Sequence, residues 1–265
     1  MIDLHAHILP GLDDGAKDLD DAVRMCLVAA RDGITTIVAT PHVPNGTYNT
    51  TPDVIFDGVR TLNAEIERGK IPLEVLPGAD IHVHEHLDSL VKNREVLTVN
   101  DNMRYVMVEF PRHVIPPRYI EWMFHLTLAG FTPILTHPER NTAVHGKTDI
   151  VRNWVEKGGL VQLTAMSLTG DFGPEIRKCS EELLKYQLVH VIASDAHSAK
   201  RRPPVLSKAF KLASSLIGAE YAHKLVKEYP AAIIAGKHID APEALPKKPG
   251  LFSRLLRQGF RSVEF

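Results

Sequence analysis

The sequence predicts a single-domain α/β barrel of about seven βα units, and three observations lead there. Short β-rich runs alternate with amphipathic stretches along the 265 residues, the pattern that builds parallel strands joined by crossover helices. Each of the predicted strands but one carries a His, Asp or Glu at its end or just past it, and only closure into a barrel brings all strand ends to one small volume. No linker and no internal repeat interrupts the series, and the length suits one large core.

Strands are expected near residues 2–7, 34–40, 73–81, 105–110, 132–137, 160–164 and 189–194. Between the first two, residues 18–32 show helical spacing of apolar positions and stop at Gly33; residues 52–68 do the same and stop at Gly69. The barrel is expected to occupy residues 1–240. Pro242, Pro246, Pro249 and Gly250 mark a break over 241–250, followed by a short basic tail from Leu251 to Phe265. Apolar residues at helical spacing with three interspersed arginines would let that tail touch anionic lipid or a partner. Docking on its own barrel is the preferred reading.

Composition narrows the function. Lys and Arg number 31 against 32 Asp and Glu, a formal charge of -1, so the chain as a whole has no attraction for nucleic acid. No apolar run is long enough to span a membrane. The N-terminus lacks a basic stretch followed by an apolar one, so no signal peptide is expected. Cys26 and Cys179 stand far apart, which suggests packing residues in a reducing cytoplasm and no disulfide framework.

Nine side chains at the strand ends carry the chemistry: His5, His7, Asp14, His42, Asp80, Glu109, His137, Asp195 and His197. Imidazole and carboxylate are the ligands of divalent transition ions, and without Cys in the set a structural zinc knot is not expected. His5 and His7 are two apart on one strand and therefore point the same way. The turn Pro10-Gly11-Leu12-Asp13-Asp14-Gly15 can fold Asp13 or Asp14 back to the same mouth. Glu109 ends the apolar run Tyr105-Val106-Met107-Val108, where a carboxylate is costly to bury without a cation. Its bland alternative is an ion pair with Arg104 or Arg112. Arg140 and Arg202 are planar donors suited to a phosphate beside such ions, whereas Arg201 is read as solvated. A cysteine phosphatase would need Arg after five intervening residues, but Asp32 and Lys185 stand there.

With these residues in place, the chain resembles the metal-dependent protein-tyrosine phosphatases of the PHP (polymerase and histidinol phosphatase) superfamily, the type found with bacterial capsule and exopolysaccharide genes. The resemblance rests on Asp3-Leu4-His5-Ala6-His7-Ile8-Leu9-Pro10-Gly11-Leu12-Asp13-Asp14-Gly15, Ala39-Thr40-Pro41-His42, Pro77-Gly78-Ala79-Asp80, Glu109-Phe110-Pro111, Thr136-His137-Pro138-Glu139-Arg140, Gln162-Leu163-Thr164-Ala165, and Ser194-Asp195-Ala196-His197 with Arg202-Pro203-Pro204. It implies a PHP-type distorted (β/α)7 barrel and a cluster of three divalent ions held by the nine residues. Manganese is the first expectation, with iron, cobalt, zinc or magnesium as alternatives. It also implies that Arg140 and Arg202 bind phosphate, and that the substrate is a phosphotyrosine protein, the C-terminal tail of a bacterial tyrosine kinase. Two positions depart from the family: Asp80 stands where Glu is usual, and Val43 where some members carry a second His.

Rival readings remain open at this point. A small-molecule phosphatase of the histidinol phosphatase kind would use the same ions. A TatD-like deoxyribonuclease shares the H-x-H start, but the ending Asp195-Ala196-His197 and the lack of basic surplus oppose it. A non-catalytic PHP barrel serving as a binding module would be expected to have lost ligands. His82, His84 and His86 share the parity of Asp80 yet are read as a solvated run past the barrel mouth, and His113, His125, His145, His190, His223 and His238 are also read as solvated.

Overall fold

The computed structural model describes residues 1–43, 48 and 50–246. Among these, nine strand segments appear: β1 (Ile2–Ala6), β2 (Thr36–Ala39), β3 (His42–Val43), β4 (Glu74–Pro77), β5 (Asp80–His82), β6 (Tyr105–Glu109), β7 (Thr132–Thr136), β8 (Leu160–Thr164) and β9 (Val191–Ala193). They pair in parallel as β1-β2-β4 and as β3-β5-β6-β7-β8-β9. Only Thr40-Pro41 separates β2 from β3 and only Gly78-Ala79 separates β4 from β5, so each pair is one strand with a break. Seven strand positions result, in the number and places the sequence predicts.

The series returns on itself. Ala6 of β1 bridges Ala196 just past β9; Asp195 N donates to His5 O, and His7 N to Ala196 O, each at 2.8 Å. The break after β4 has a steric cause. A Cβ on Gly78 would lie 2.7 Å from Val38 Cγ1, so only glycine lets the third strand cross this close to the second.

Helices fill the outside. In α1 (Leu19–Arg31) the Asp18 side chain accepts from Asp21 N, and Ala22, Met25, Cys26 and Ala29 face inward. In α2 (Pro52–Arg68) the buried face is Ile55, Val59, Leu62 and Ile66. The 3–4 spacing on both is what an amphipathic helix needs to cover a sheet, and each large side chain buried this way contributes ~1.5–3 kcal/mol. The strands are buried along nearly their whole length, as in parallel sheets covered by helices. Both cysteines are buried and unbridged, as packing residues should be. No helix of the described residues is long and apolar enough to cross a membrane.

Two expectations need correction or delimitation here. His190 is not solvated: it is 3% exposed, and its Nδ1 accepts from Val161 N at 3.1 Å, stitching the start of β9 to β8. Burial alone lowers its pKa to about 4, so the ring is neutral and fits an apolar wall. The basic tail, residues 251–265, lies outside the described residues. Of the break before it, 241–246 runs against the barrel, with Leu245 N donating to Tyr186 O and Arg152 Nη2 to Leu245 O.

Candidate metal centre

The nine predicted residues meet at one end of the barrel. Ligands on a single ion, at metal distances near 2.0–2.2 Å, stand about 2.8–3.6 Å apart. His5 Nε2 lies 3.2 Å from His7 Nε2 and 3.6 Å from both Asp80 Oδ2 and Asp195 Oδ1. Asp14 Oδ1 is 3.4 Å from His197 Nε2 and 3.8 Å from His42 Nε2. Glu109 Oε1 is 3.5 Å from His137 Nε2. Four overlapping groups of three or four such residues, and a fifth that adds His82, keep their ligand atoms within 4.8 Å of one another. Such spacings suit ligands that share an ion.

Local backbone geometry aims these side chains. His137 and Asp195, each the first residue or two past a strand, adopt left-handed φ values of 32° and 51°. Such strain on non-glycine residues persists where surrounding structure over-determines it, commonly at sites of function. Gly15 lies so close to the first strand that a Cβ there would be 2.0 Å from His7 O, which presses the Asp13-Asp14 turn onto the site. The turn then divides the labour left open by the sequence. Asp13 Oδ2 binds His7 Nδ1 at 2.5 Å and accepts from His42 N, while Asp14 faces His42 and His197.

A ring of further contacts orients the imidazoles. Gln162 Oε1 accepts from His5 Nδ1 at 3.1 Å and from His137 N at 3.2 Å, which leaves His5 Nε2 as the lone-pair face toward the cluster. His197 Nδ1 donates to Asp195 O. Partners of this kind set the tautomer and raise ligand basicity. Burial pushes the His42 and His137 pKa values down to about 4 and that of His5 well below the usual range, so these rings are neutral donors at pH 7, the form a metal requires.

The donor set fits cations. Asp80, Glu109 and Asp195 crowd together, and burial followed by the charges of Glu109 and Asp195 drives the Asp80 pKa well above the carboxylate range. Asp80 Oδ2 and His42 Nδ1 are buried without a hydrogen-bond partner. Buried lone pairs in an anionic cluster cost free energy unless a positive charge answers them.

Asp195 faces two ways. Oδ1 looks onto His5, His7 and His197 at 3.6 Å each. Oδ2 accepts from both Arg140 Nη1 and Arg202 Nη2, the latter at 2.6 Å. Burial works against its charge, but His5, His137 and the two arginines hold its pKa well below the usual range. The guanidinium groups are thereby fixed at the edge of the cluster, flanking Phe172 at 5.1 and 5.8 Å. Nε of Arg202 is buried and unpaired. A groove of about 890 Å³ leads away from Asp14, His197 and Arg202 past Lys17, Lys200 and Arg201.

The model of the family for capsular polysaccharide synthesis, CpsB/CapC, matches residues 1–235. The chain belongs to the CpsB/CapC family. The tyrosine-protein phosphatase YwqE of Bacillus subtilis is 39% identical over 229 residues, 86% of this chain and 89% of YwqE. A solved structure of the pair YwqE and Streptococcus pneumoniae CpsB, described as unique metal-dependent tyrosine phosphatases, superposes with a TM-score of 0.90 at 35% identity, covering 94% of this chain and 100% of its own. The fold alone is shared with a histidinol phosphate phosphatase from Lactococcus lactis, at a TM-score of 0.51 and 16% identity over 93% of this chain and 98% of that one.

In this CpsB/CapC member, sulfur is out of place for catalysis: burial pushes both thiols up to about 12, so neither yields a thiolate near neutral pH. One expectation about the site is overturned. His82 is not a solvated residue beyond the mouth: its Nε2 lies 2.7 Å from Glu109 Oε2. His84 and His86 do lead outward, half-buried and exposed respectively. His145 is also half-buried, its Nε2 on Glu139 O. The sequence left Asp13 and Asp14 as alternatives and offered Gln162 only within the run Gln162-Leu163-Thr164-Ala165; Phe172 carried no signal beyond residue type.

Proposed function

We propose that the protein is a metal-dependent phosphatase that hydrolyses phosphotyrosine on a protein, without a cysteine nucleophile and without a phosphoenzyme. One observation carries this reading: His5, His7, Asp14, His42, Asp80, Glu109, His137, Asp195 and His197 converge from around the barrel on one cluster, and Asp195 ties two arginines to its edge. The naming of YwqE and CpsB as tyrosine phosphatases supports the substrate class. The nine residues would hold three ions, with manganese the ion of choice, and the physiological substrate of this cytoplasmic enzyme would be the tyrosine-rich C-terminal tail of a bacterial kinase that controls capsule or exopolysaccharide synthesis.

When bound, closely spaced divalent ions acidify water near neutral pH and offset charge on phosphoryl oxygens. The chain supplies the remainder. Arg140 and Arg202 donate to the equatorial oxygens, where charge rises in the transition state, and Asp195 and Phe172 keep both guanidinium groups in place before substrate arrives. Asp13 and Gln162 hold His7 and His5 with Nε2 inward. The tyrosine leaving group, a phenol of pKa ≈ 10, departs with modest assistance. The groove beyond Arg202 takes the peptide on either side of the phosphotyrosine.

The test is phosphate release by the purified protein with manganese from a phosphotyrosyl peptide, histidinol phosphate and DNA. Turnover of the peptide is expected to dominate and to vanish with chelator or Glu109→Gln. Arg140→Ala or Arg202→Ala should each lower kcat/KM about 10²–10³-fold, by similar factors on the peptide and on p-nitrophenyl phosphate, because both present the same group. Faster hydrolysis of histidinol phosphate, or turnover in chelator, overturns the reading.

A further inference from the structure

We infer that His82 is a metal ligand, giving this centre a tenth ligand residue at its solvent-facing rim; the inference rests on the metal-dependent reading above. Three side chains form the rim group: His42 from β3, His82 from β5 and Glu109 from β6. Their ligating atoms all lie within 4.8 Å of one another. Strand register creates the group. β3 and β5 pair His42 with Asp80, and β5 and β6 pair His82 with Glu109, so the last residue of each short strand is carried to the same edge of the mouth.

The His82–Glu109 contact joins two metal-ligand types. Nε2 and Oε2 are 2.7 Å apart, the length of a charge-assisted hydrogen bond in which the imidazole donates. A cation bound there would displace that proton, because imidazole and carboxylate ligate in their deprotonated forms. His42 Nδ1, 3.8 Å from Glu109 Oε2, is buried without a partner and supplies the third donor. A neutral imidazole offers one lone pair. With His42 engaged through Nδ1, the opposite side of the cluster keeps His7, Asp14 and His197.

His82 is 39% exposed, far more than Asp80 at 0% or Glu109 at 19%. An ion it binds therefore sits at the outer rim, with positions open to water or to an incoming phosphate, and is the first to exchange with solvent. Glu109 would then offer Oε2 to the rim ion, while its Oε1 faces His137 Nε2 at 3.5 Å.

The experiment titrates the metal-free protein with manganese and follows free Mn²⁺ by electron paramagnetic resonance, for the wild type, His82→Ala and His82→Phe. Loss of one bound equivalent, or at least a tenfold weaker dissociation constant for the most loosely held ion, is expected in both variants. The thermal midpoints of the metal-free proteins should agree within a few degrees, since His82 is half exposed. Retention of wild-type stoichiometry and affinity in His82→Ala overturns the assignment while leaving the phosphatase reading intact. Full affinity in His82→Phe also overturns it, because phenylalanine keeps the bulk of the ring but offers no ligand atom. A wild-type protein that takes up no manganese overturns both readings.

Discussion

The two sides of the metal centre are built differently. On one side, His5, His7 and Asp195 are buried and already held: His5 by Gln162, His7 by Asp13, Asp195 by two arginines. On the other side, His42 Nδ1 and Asp80 Oδ2 are buried without hydrogen bonds, and His82 is partly exposed beside Glu109. The first side is pre-organised by protein contacts, so its geometry costs little to reach when an ion binds. The second depends on cations for its satisfaction. The contrast suggests a division in which the held side keeps its ion and fixes the phosphate-binding arginines, while the rim side exchanges.

The largest effect should come from Asp195→Asn, which keeps shape but removes the charge that faces both the histidines and the arginines. Activity is expected to fall by about three orders of magnitude or more, with manganese unable to restore it. A loss under about tenfold would mean that the held side is not the one that matters. Next is Gln162→Leu. Freed of its acceptor, His5 can present the wrong nitrogen, so manganese affinity should weaken about 10–100-fold; isothermal titration of the metal-free protein reads this directly, and unchanged affinity would remove the distinction between the two sides.

Asp80→Glu sharpens the comparison from the rim. An extra methylene brings the carboxylate deeper among His5, His42 and Glu109, and the manganese concentration for half activity should drop about fivefold, equivalent to ~1 kcal/mol. Coincident titration curves would mean that Asp80 already ligates as well as the longer side chain. The smallest effect belongs to Cys26→Ser with Cys179→Ser. Both thiols are buried and protonated, so activity per folded molecule should be unchanged, apart from a packing cost visible as a lowered thermal midpoint. An inactive but folded, metal-loaded double variant would sink the metal mechanism on both sides at once.

The strand boundaries were legible because β-branched runs and glycine stops are local signals, and seven expected strands match the observed positions within a few residues. The ligand types were legible too, since a His, Asp or Glu at the end of an apolar strand has few structural reasons to be there. What failed was placement. His82 was assigned to the surface on the assumption that the chain leaves the mouth after Asp80. Gly78 instead lets the strand break, and β5 then continues beside β6 until His82 stands opposite Glu109. The sequence offers no local sign that His190, inside the expected strand 189–194, is buried; its place against Val161 N is a contact across 29 residues.

The sequence by itself determined the alternation of strands and helices, the barrel class and the chemistry of the mouth, because each follows from residue type and spacing along a few neighbouring positions. Only the tertiary structure decided which oxygen of Asp195 meets histidine and which meets arginine, that Asp13 supports His7 while Asp14 faces the cluster, and that Phe172 packs near both Arg140 and Arg202. Those choices depend on the meeting of segments far apart in the chain, at distances near 3 Å where a shift of one atom changes a ligand into a support. Residue identity sets what a side chain can do, and the closing of the barrel sets what it faces.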